Sequence, residues 1–177
     1  MGTMGWLGGF LAALVVALLV LAALADIATR TIPDTIAAAV AVLGMAARLR
    51  AGPSALALSV AAALVLFVLL VVLHARGLMG GGDVKLAAAT CLGLSLQAVH
   101  PFVVVTAMAG GVLALLHLAG RWALRDVRRP LPAPRGASLP RRIFSAERWR
   151  IARHGSLPYG VAIACGGIWA VLNGQGS

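Results

Sequence analysis

The sequence predicts an all-α, polytopic membrane protein with six transmembrane helices, and three observations carry that prediction. Of the 177 residues, 61% are apolar and 11% are charged, with a mean hydropathy of +0.97; soluble globular domains carry about a quarter charged residues. The apolar residues come in blocks close to the ~20 residues that cross a ~30 Å hydrocarbon core. Only one long hydrophilic segment, 121–156, interrupts them. A soluble single-domain protein is excluded.

The first span, 6–25, ends at Asp26. Ala23-Leu24-Ala25 resembles a small-residue cleavage site, but the apolar run is too long for a signal h-region and no positive charge precedes it. The segment is therefore expected to be a retained helix. A second span, 35–49, can start after Pro33, with Asp34 or Thr35 capping free backbone N–H groups. Arg48 and Arg50 are expected to snorkel to the interface at its end. The third span, 55–74, closes with His74 and Arg76.

Gly77 to Asp83 follows as a loop, because its glycine density opposes a stable helix. A fourth, more polar span, 84–99, carries Thr90, Ser95 and Gln97, and Pro101 opens the fifth, 101–120. In segment 121–156, Pro130, Pro132, Pro134 and Pro140 break the first half. The second half mixes Ile143, Phe144, Trp149 and Ile151 with arginine, the pattern of an interfacial helix. The last span is 157–173, and the whole chain, 1–177, is expected to form one membrane-embedded domain.

Five acidic residues face 14 Arg and one Lys, a net charge of +10, and ten of the Arg lie between Arg121 and Arg153. Beside membrane spans such a cluster predicts a cytoplasmic loop against anionic lipid. Nucleic acid is not expected as a partner, since no nucleic-acid-binding motif accompanies the charge. With six spans, the odd-numbered loops hold 13 Lys or Arg and the even-numbered loops hold two, Arg48 and Arg50. Both termini are thus expected outside. Cys91 and Cys165 stand alone in apolar stretches and read as small buried hydrophobes, implying neither metal nor disulfide.

The same topology places Asp26, at the end of span one, and Asp83, at the start of span four, on the cytoplasmic side. An ionisable group at the membrane is costly and is a functional-site candidate by default; the plainer alternative is that both acids only mark where helices leave the bilayer. Gly80, Gly81 and Gly82 favour the first reading, because a stretch without side chains lets an extended peptide approach Asp83 and lets the loop adopt positive φ. Two carboxylates within a few ångströms tend to share one proton, so one can deprotonate water while the other polarises a carbonyl. A phosphate-binding glycine loop would need GxxxxGK[ST] or GxGxxG between a strand and a helix, and neither occurs. No cofactor is expected.

Three segments resemble the prepilin and preflagellin peptidases, intramembrane aspartyl proteases of the GxGD type. Asp26 to Asp34 looks like the family's D-x-x-x-R-x-I-P-[DN] segment, Gly80 to Lys85 fits GxGDxK, and Leu157 to Ala164 resembles the P-[YF]-G-x-A segment of the last helix. The resemblance covers essentially the whole chain. It implies that Asp26 and Asp83 are catalytic, with Gly80, Gly81, Gly82, Lys85, Arg30, Pro33, Pro158, Tyr159 and Gly160 as binding or motif residues. Asp34 is expected to be a helix cap, and Arg30 an interfacial anchor first and a bias on the Asp26 charge second. Lys85 reads equally as a snorkelling residue. His74, His100 and His117 are expected to be interfacial or packed.

The implied substrate is a prepilin or pseudopilin with a basic leader, a Gly before the cut and an apolar helix after it, cleaved at the cytoplasmic face of the inner membrane. Other pilus-assembly proteins are implied as partners. Longer members carry an N-terminal CxxC region and also N-methylate the product; this sequence lacks that region, so methylation is not expected, and the size resembles the short enzymes of Flp-type pili. Two rival functions stay open: a small proton- or ion-coupled transporter, since membrane carboxylates also relay protons, and a non-catalytic assembly subunit. An inverted-repeat transporter would place the two acids on opposite faces, against the charge count.

Overall fold

The computed structural model describes residues 3–123 and 157–174. Every regular element among them is helical: α1 (Thr3–Thr29), α2 (Asp34–Ala51), α3 (Pro53–Ala75), α4 (Gly81–Leu92), α5 (Leu96–Ala123) and α6 (Tyr159–Asn173). The expectations for 124–156, a cytoplasmic basic loop on lipid with an interfacial helix, lie outside the described residues.

Trp6–Thr29 of α1, α3, and Leu96–Gly120 of α5 are long and apolar enough to cross a bilayer. Their large apolar side chains point outward, among them Leu64, Val65, Val68 and Leu69 of α3 and Met108, Leu115 and Leu116 of α5. Such faces are stable only against hydrocarbon or a partner. Inside, α4 packs on α3, α2 and α6, and α6 packs on α1 and α5. The interior faces of α4 and α6 are built from small residues, including Ala87, Ala89, Gly160, Ala162, Ala164, Gly166 and Gly167, as expected where van der Waals packing rather than water exclusion holds helices together.

Several boundaries differ from the sequence expectation, each for a local reason. Helix α1 does not stop at Asp26 but runs to Thr29, where the Thr29 hydroxyl donates to the Ala25 carbonyl at 2.9 Å. Arg30 then closes the helix at φ 58, its N–H donating to the Asp26 carbonyl at 2.9 Å. Gly81 and Gly82 form the first turn of α4 rather than a loop, because first-turn N–H groups have no helical partner to lose. Gly80 is extended at φ −71, so positive φ in this stretch belongs to Gly77 alone. Asp34 opens α2 as expected but makes no side-chain cap; the N-cap position is Pro33.

The fourth span is not one helix over 84–99. Helix α4 ends at Leu92 and Leu96–Val99 belong to α5, so Pro101 lies inside α5 instead of opening it. At 12 residues, α4 is ~18 Å long, shorter than the hydrocarbon core. The break lies where α4 meets α2: a Cβ on Gly44 would stand 2.7 Å from the Gly93 Cα, and one on Gly93 would stand 2.9 Å from the Gly44 Cα. The turn at Gly93–Ser95 leaves carbonyls inside the bundle that need a donor. The buried Ser59 hydroxyl bonds the Leu94 carbonyl at 2.8 Å, and Arg48 Nε donates to Ser59 Oγ at 3.0 Å. Arg48 therefore turns inward rather than snorkelling out.

Gly44→Ala tests this crossing. Ala is worth about 1 kcal/mol more than Gly in a helix interior, but the opposing atoms are backbone and cannot step aside, and overpacking costs about 1–3 kcal/mol or more. The expected net result is destabilisation, read as a lower thermal midpoint in detergent. A raised midpoint would mean that the helices separate freely.

Cys91 is buried in α4 as expected, whereas Cys165 is exposed. It lies on the face of α6 opposite the glycine and alanine residues that pack inward.

Candidate active site

The long cavity at one end of the bundle, about 710 Å³, is lined by Asp26 and Arg30 from the end of α1, Leu78 to Gly80 ahead of α4, Asp83 of α4, His117 and Leu118 of α5, and Leu157 and Tyr159 at α6. A second cavity of about 270 Å³ shares Asp26, Arg30, Gly80 and Asp83 and adds Gly81, Gly82 and Asp34. The two acids, remote in sequence, thus face common space. Both are well buried, Asp26 at 5% and Asp83 at 9% exposed, and their charges act on one another.

Each acid is held by backbone rather than by a charged partner alone. The Gly160 N–H, in the first turn of α6, donates to Asp26 Oδ2 at 2.8 Å. Pro158 sets this geometry: it is buried at the N-cap of α6 and its ring restricts the chain just before the turn. A Cβ on Gly160 would meet Asp26 Oδ2 at 2.9 Å and Asp26 Cβ at 3.0 Å. Asp83 folds back on its own helix start, accepting from the Gly80 backbone. A Cβ at Gly80 would stand 2.8 Å from Asp83 Oδ2.

The other two glycines serve close packing. Gly81 faces the His74 ring, and Gly82 faces Ile32. His74 in turn bonds the Met79 carbonyl through Nδ1 at 2.8 Å, tying the end of α3 to the glycine stretch.

Arg30 is not an anchor directed away from the protein. It lines both cavities beside both carboxylates, its Nε and Nη1 atoms are buried, and its charge acts on Asp83. A non-glycine residue in the left-handed region costs about 1–2 kcal/mol, a strain that turns the chain sharply after α1 and directs this cation inward. Pro33 is exposed and starts α2.

Lys85 and Asp34 pair with each other at 2.8 Å and 2.9 Å, linking α4 to α2; this corrects the cap expected of Asp34, and it takes Lys85 away from the snorkelling that stood as one of its two readings. Their side chains are 54% and 73% exposed, so the pair contributes little, at most about 1 kcal/mol. Asp34→Asn and Lys85→Gln should each shift thermal stability only marginally, and added salt should mimic them. A large loss in either variant would assign the pair a role beyond this tie.

His117, expected to be interfacial or packed, lines the larger cavity. Gly110, two turns earlier on the same helix face, packs against Tyr159 and Ala162, so it is the contact of α5 with the start of α6 that brings His117 to the cavity, and no local signal in the sequence marks it, nor Leu78 and Met79. Among the described residues, no group of three or more His, Cys, Asp or Glu could hold a metal.

A family model described as type IV leader peptidase family matches residues 13–115, a stretch that contains both Asp26 and Asp83. No curated protein and no solved structure matches the chain.

Proposed function

The chain belongs to the type IV leader peptidase family, and from that premise we propose that it removes the leader peptide from a type IV or Flp-type prepilin by aspartic catalysis with Asp26 and Asp83. Family membership makes it a membrane protease with a prepilin-type substrate. The observation that carries the aspartic mechanism is that two buried carboxylates from different helices line one cavity.

The proposed chemistry follows from that arrangement. With one proton between the pair, the ionised carboxylate takes a proton from water as the water oxygen attacks the scissile carbonyl carbon, and the protonated carboxyl gives its proton to the carbonyl oxygen. Collapse of the tetrahedral intermediate breaks the C–N bond, and the amine leaves with a proton returned by the dyad. The titration belongs to the pair rather than to either acid, so the rate should fall on both sides of a pH optimum. The glycines at 80–82 leave room for an extended substrate backbone, Arg30 supplies positive charge beside the dyad, and Tyr159 forms part of the wall.

We assign one crossing to each of the six helices among the described residues, with the short α4 completing its crossing through the turn at Gly93–Ser95. The charge count then puts both termini outside and the dyad at the cytoplasmic face of the inner membrane, within a single domain. Anionic lipid at the basic loop and other pilus-assembly proteins complete the proposed surroundings. The test is co-expression with candidate prepilins, scored by the size shift on leader removal. Absence of the shift with every prepilin encoded alongside the protein would reject the proposal.

A further inference from the structure

A third cavity, also polar, lies at the far end of the bundle from Asp26 and Asp83. It has a volume of about 200 Å³ and is lined by Gly8 of α1, Gly44, Arg48 and Arg50 of α2, and Gly93 and Ser95 of the turn between α4 and α5, among others. Gly8 precedes Asp26 by 18 residues on α1, about 27 Å of helix, so this cavity and the acidic one belong to opposite ends of the same helices.

Three features distinguish it from a packing defect. Among the described residues two arginines line it and no acidic residue does. The Ser95 Oγ is buried and has no hydrogen-bond partner among the described residues, although a buried hydroxyl is normally satisfied. At Gly8 the wall is bare backbone: a Cβ there would stand 3.6 Å from Arg50 Nη1, so the guanidinium lies against α1 with no side chain between. With Arg48 half-buried and Arg50 exposed at the rim, cationic donors that converge on one space favour an anion whose oxygens accept from several of them at once, and at ~30 Å³ per water the space is larger than one or two waters need.

We propose that this cavity binds a phosphate group, held by Arg48 and Arg50 with a hydrogen bond from Ser95 Oγ, and supplied by the headgroup of an anionic phospholipid or by free phosphate. The site is separate from the acidic cavity and its occupancy does not depend on peptide cleavage.

The test is native mass spectrometry of the full-length protein in a neutral detergent, titrated in turn with dioleoylphosphatidylglycerol, dioleoylphosphatidylcholine and inorganic phosphate. One phosphatidylglycerol should be retained in preference to phosphatidylcholine. Arg50→Gln should weaken its retention by at least about tenfold, about 1.4 kcal/mol, and Ser95→Ala by several-fold. Ser95→Ala breaks no internal bond of its hydroxyl, so a folding defect does not obscure the result. Arg76→Gln, an exposed arginine outside the cavity, should leave retention unchanged. Inorganic phosphate binding with the same dependence on Arg50 and Ser95 identifies the free anion as the source, and phosphatidylglycerol binding alone identifies the lipid. Retention indifferent to Arg50→Gln and Ser95→Ala, loss of retention in Arg76→Gln as well, or no binding of any of the three probes would overturn the proposal.

Discussion

Asp26→Asn and Asp83→Asn should each reduce leader removal by at least about 1,000-fold while leaving the amount of folded protein unchanged. Asn keeps the volume of the side chain and, at position 26, an oxygen that can still accept from the Gly160 N–H, but it can neither take a proton from water nor give one to a carbonyl. General acid–base groups contribute about 10²–10⁴-fold each, and a dyad that works as a unit loses nearly everything with either member. Stability should hold or rise slightly, because both carboxylates are buried and a buried charge is costly. The measurement is the cleaved fraction of a prepilin in membranes containing equal amounts of each variant. Wild-type cleavage in either one removes that residue from the mechanism.

The second large effect is expected at Gly160, where one methyl group should reduce cleavage by about 100-fold. The added Cβ would lie 2.9 Å from Asp26 Oδ2, 3.0 Å from Asp26 Cβ and 3.0 Å from Ile32 Cδ1. The carboxylate oxygen can rotate away, but the Cβ is tied to α1 and cannot, so either the N–H bond to Asp26 or the approach of α6 to α1 has to lengthen. Misplacing a reacting group by about 1 Å can cost about 100-fold. The comparison that isolates this effect is Gly160→Ala against Gly110→Ala, where the nearest atoms are 3.8 Å away in ordinary contact. Both variants add the same methyl to a helix of the same bundle. If the two lose cleavage equally, general disturbance of packing explains the loss and the contact with Asp26 does not.

Much of the site is legible in the sequence alone. A carboxylate in a chain with only five acidic residues, placed beside three glycines, attracts attention on chemistry alone, and counting crossings already placed Asp26 and Asp83 at one end. The separate contributions of Gly80, Gly81 and Gly82 were not legible. Read as a loop left bare for substrate, they prove also to be a helix start in which one accommodates the Asp83 carboxylate, one meets His74 and one meets Ile32. Local sequence reports how many side chains are missing, and only the neighbours report that one at Gly80 would crowd the Asp83 carboxylate while those at Gly81 and Gly82 would meet ordinary contacts.

Arg30 and Lys85 make the same point for charge. Both are cations near the ends of apolar helices, for which the sequence allows an interfacial place beside a role at the site. The structure directs Arg30 into the acidic cavity through a left-handed turn and gives Lys85 to Asp34 on another helix. The difference arises from backbone direction at one residue, which no periodicity encodes.

By itself the sequence determined the class of solvent, the order of the apolar helices, and the two acids worth following, because hydrophobic length and charge are sums over neighbouring residues. Tertiary structure alone decided that the fourth span breaks at Gly93, that Gly160 donates to Asp26, that His117 joins the wall, and that Arg48 turns inward to Ser59. Each of these depends on how closely two helices approach. That distance is set by pairs of residues far apart in the chain, Gly44 with Gly93 or Gly160 with Asp26, and has no expression in either segment read alone.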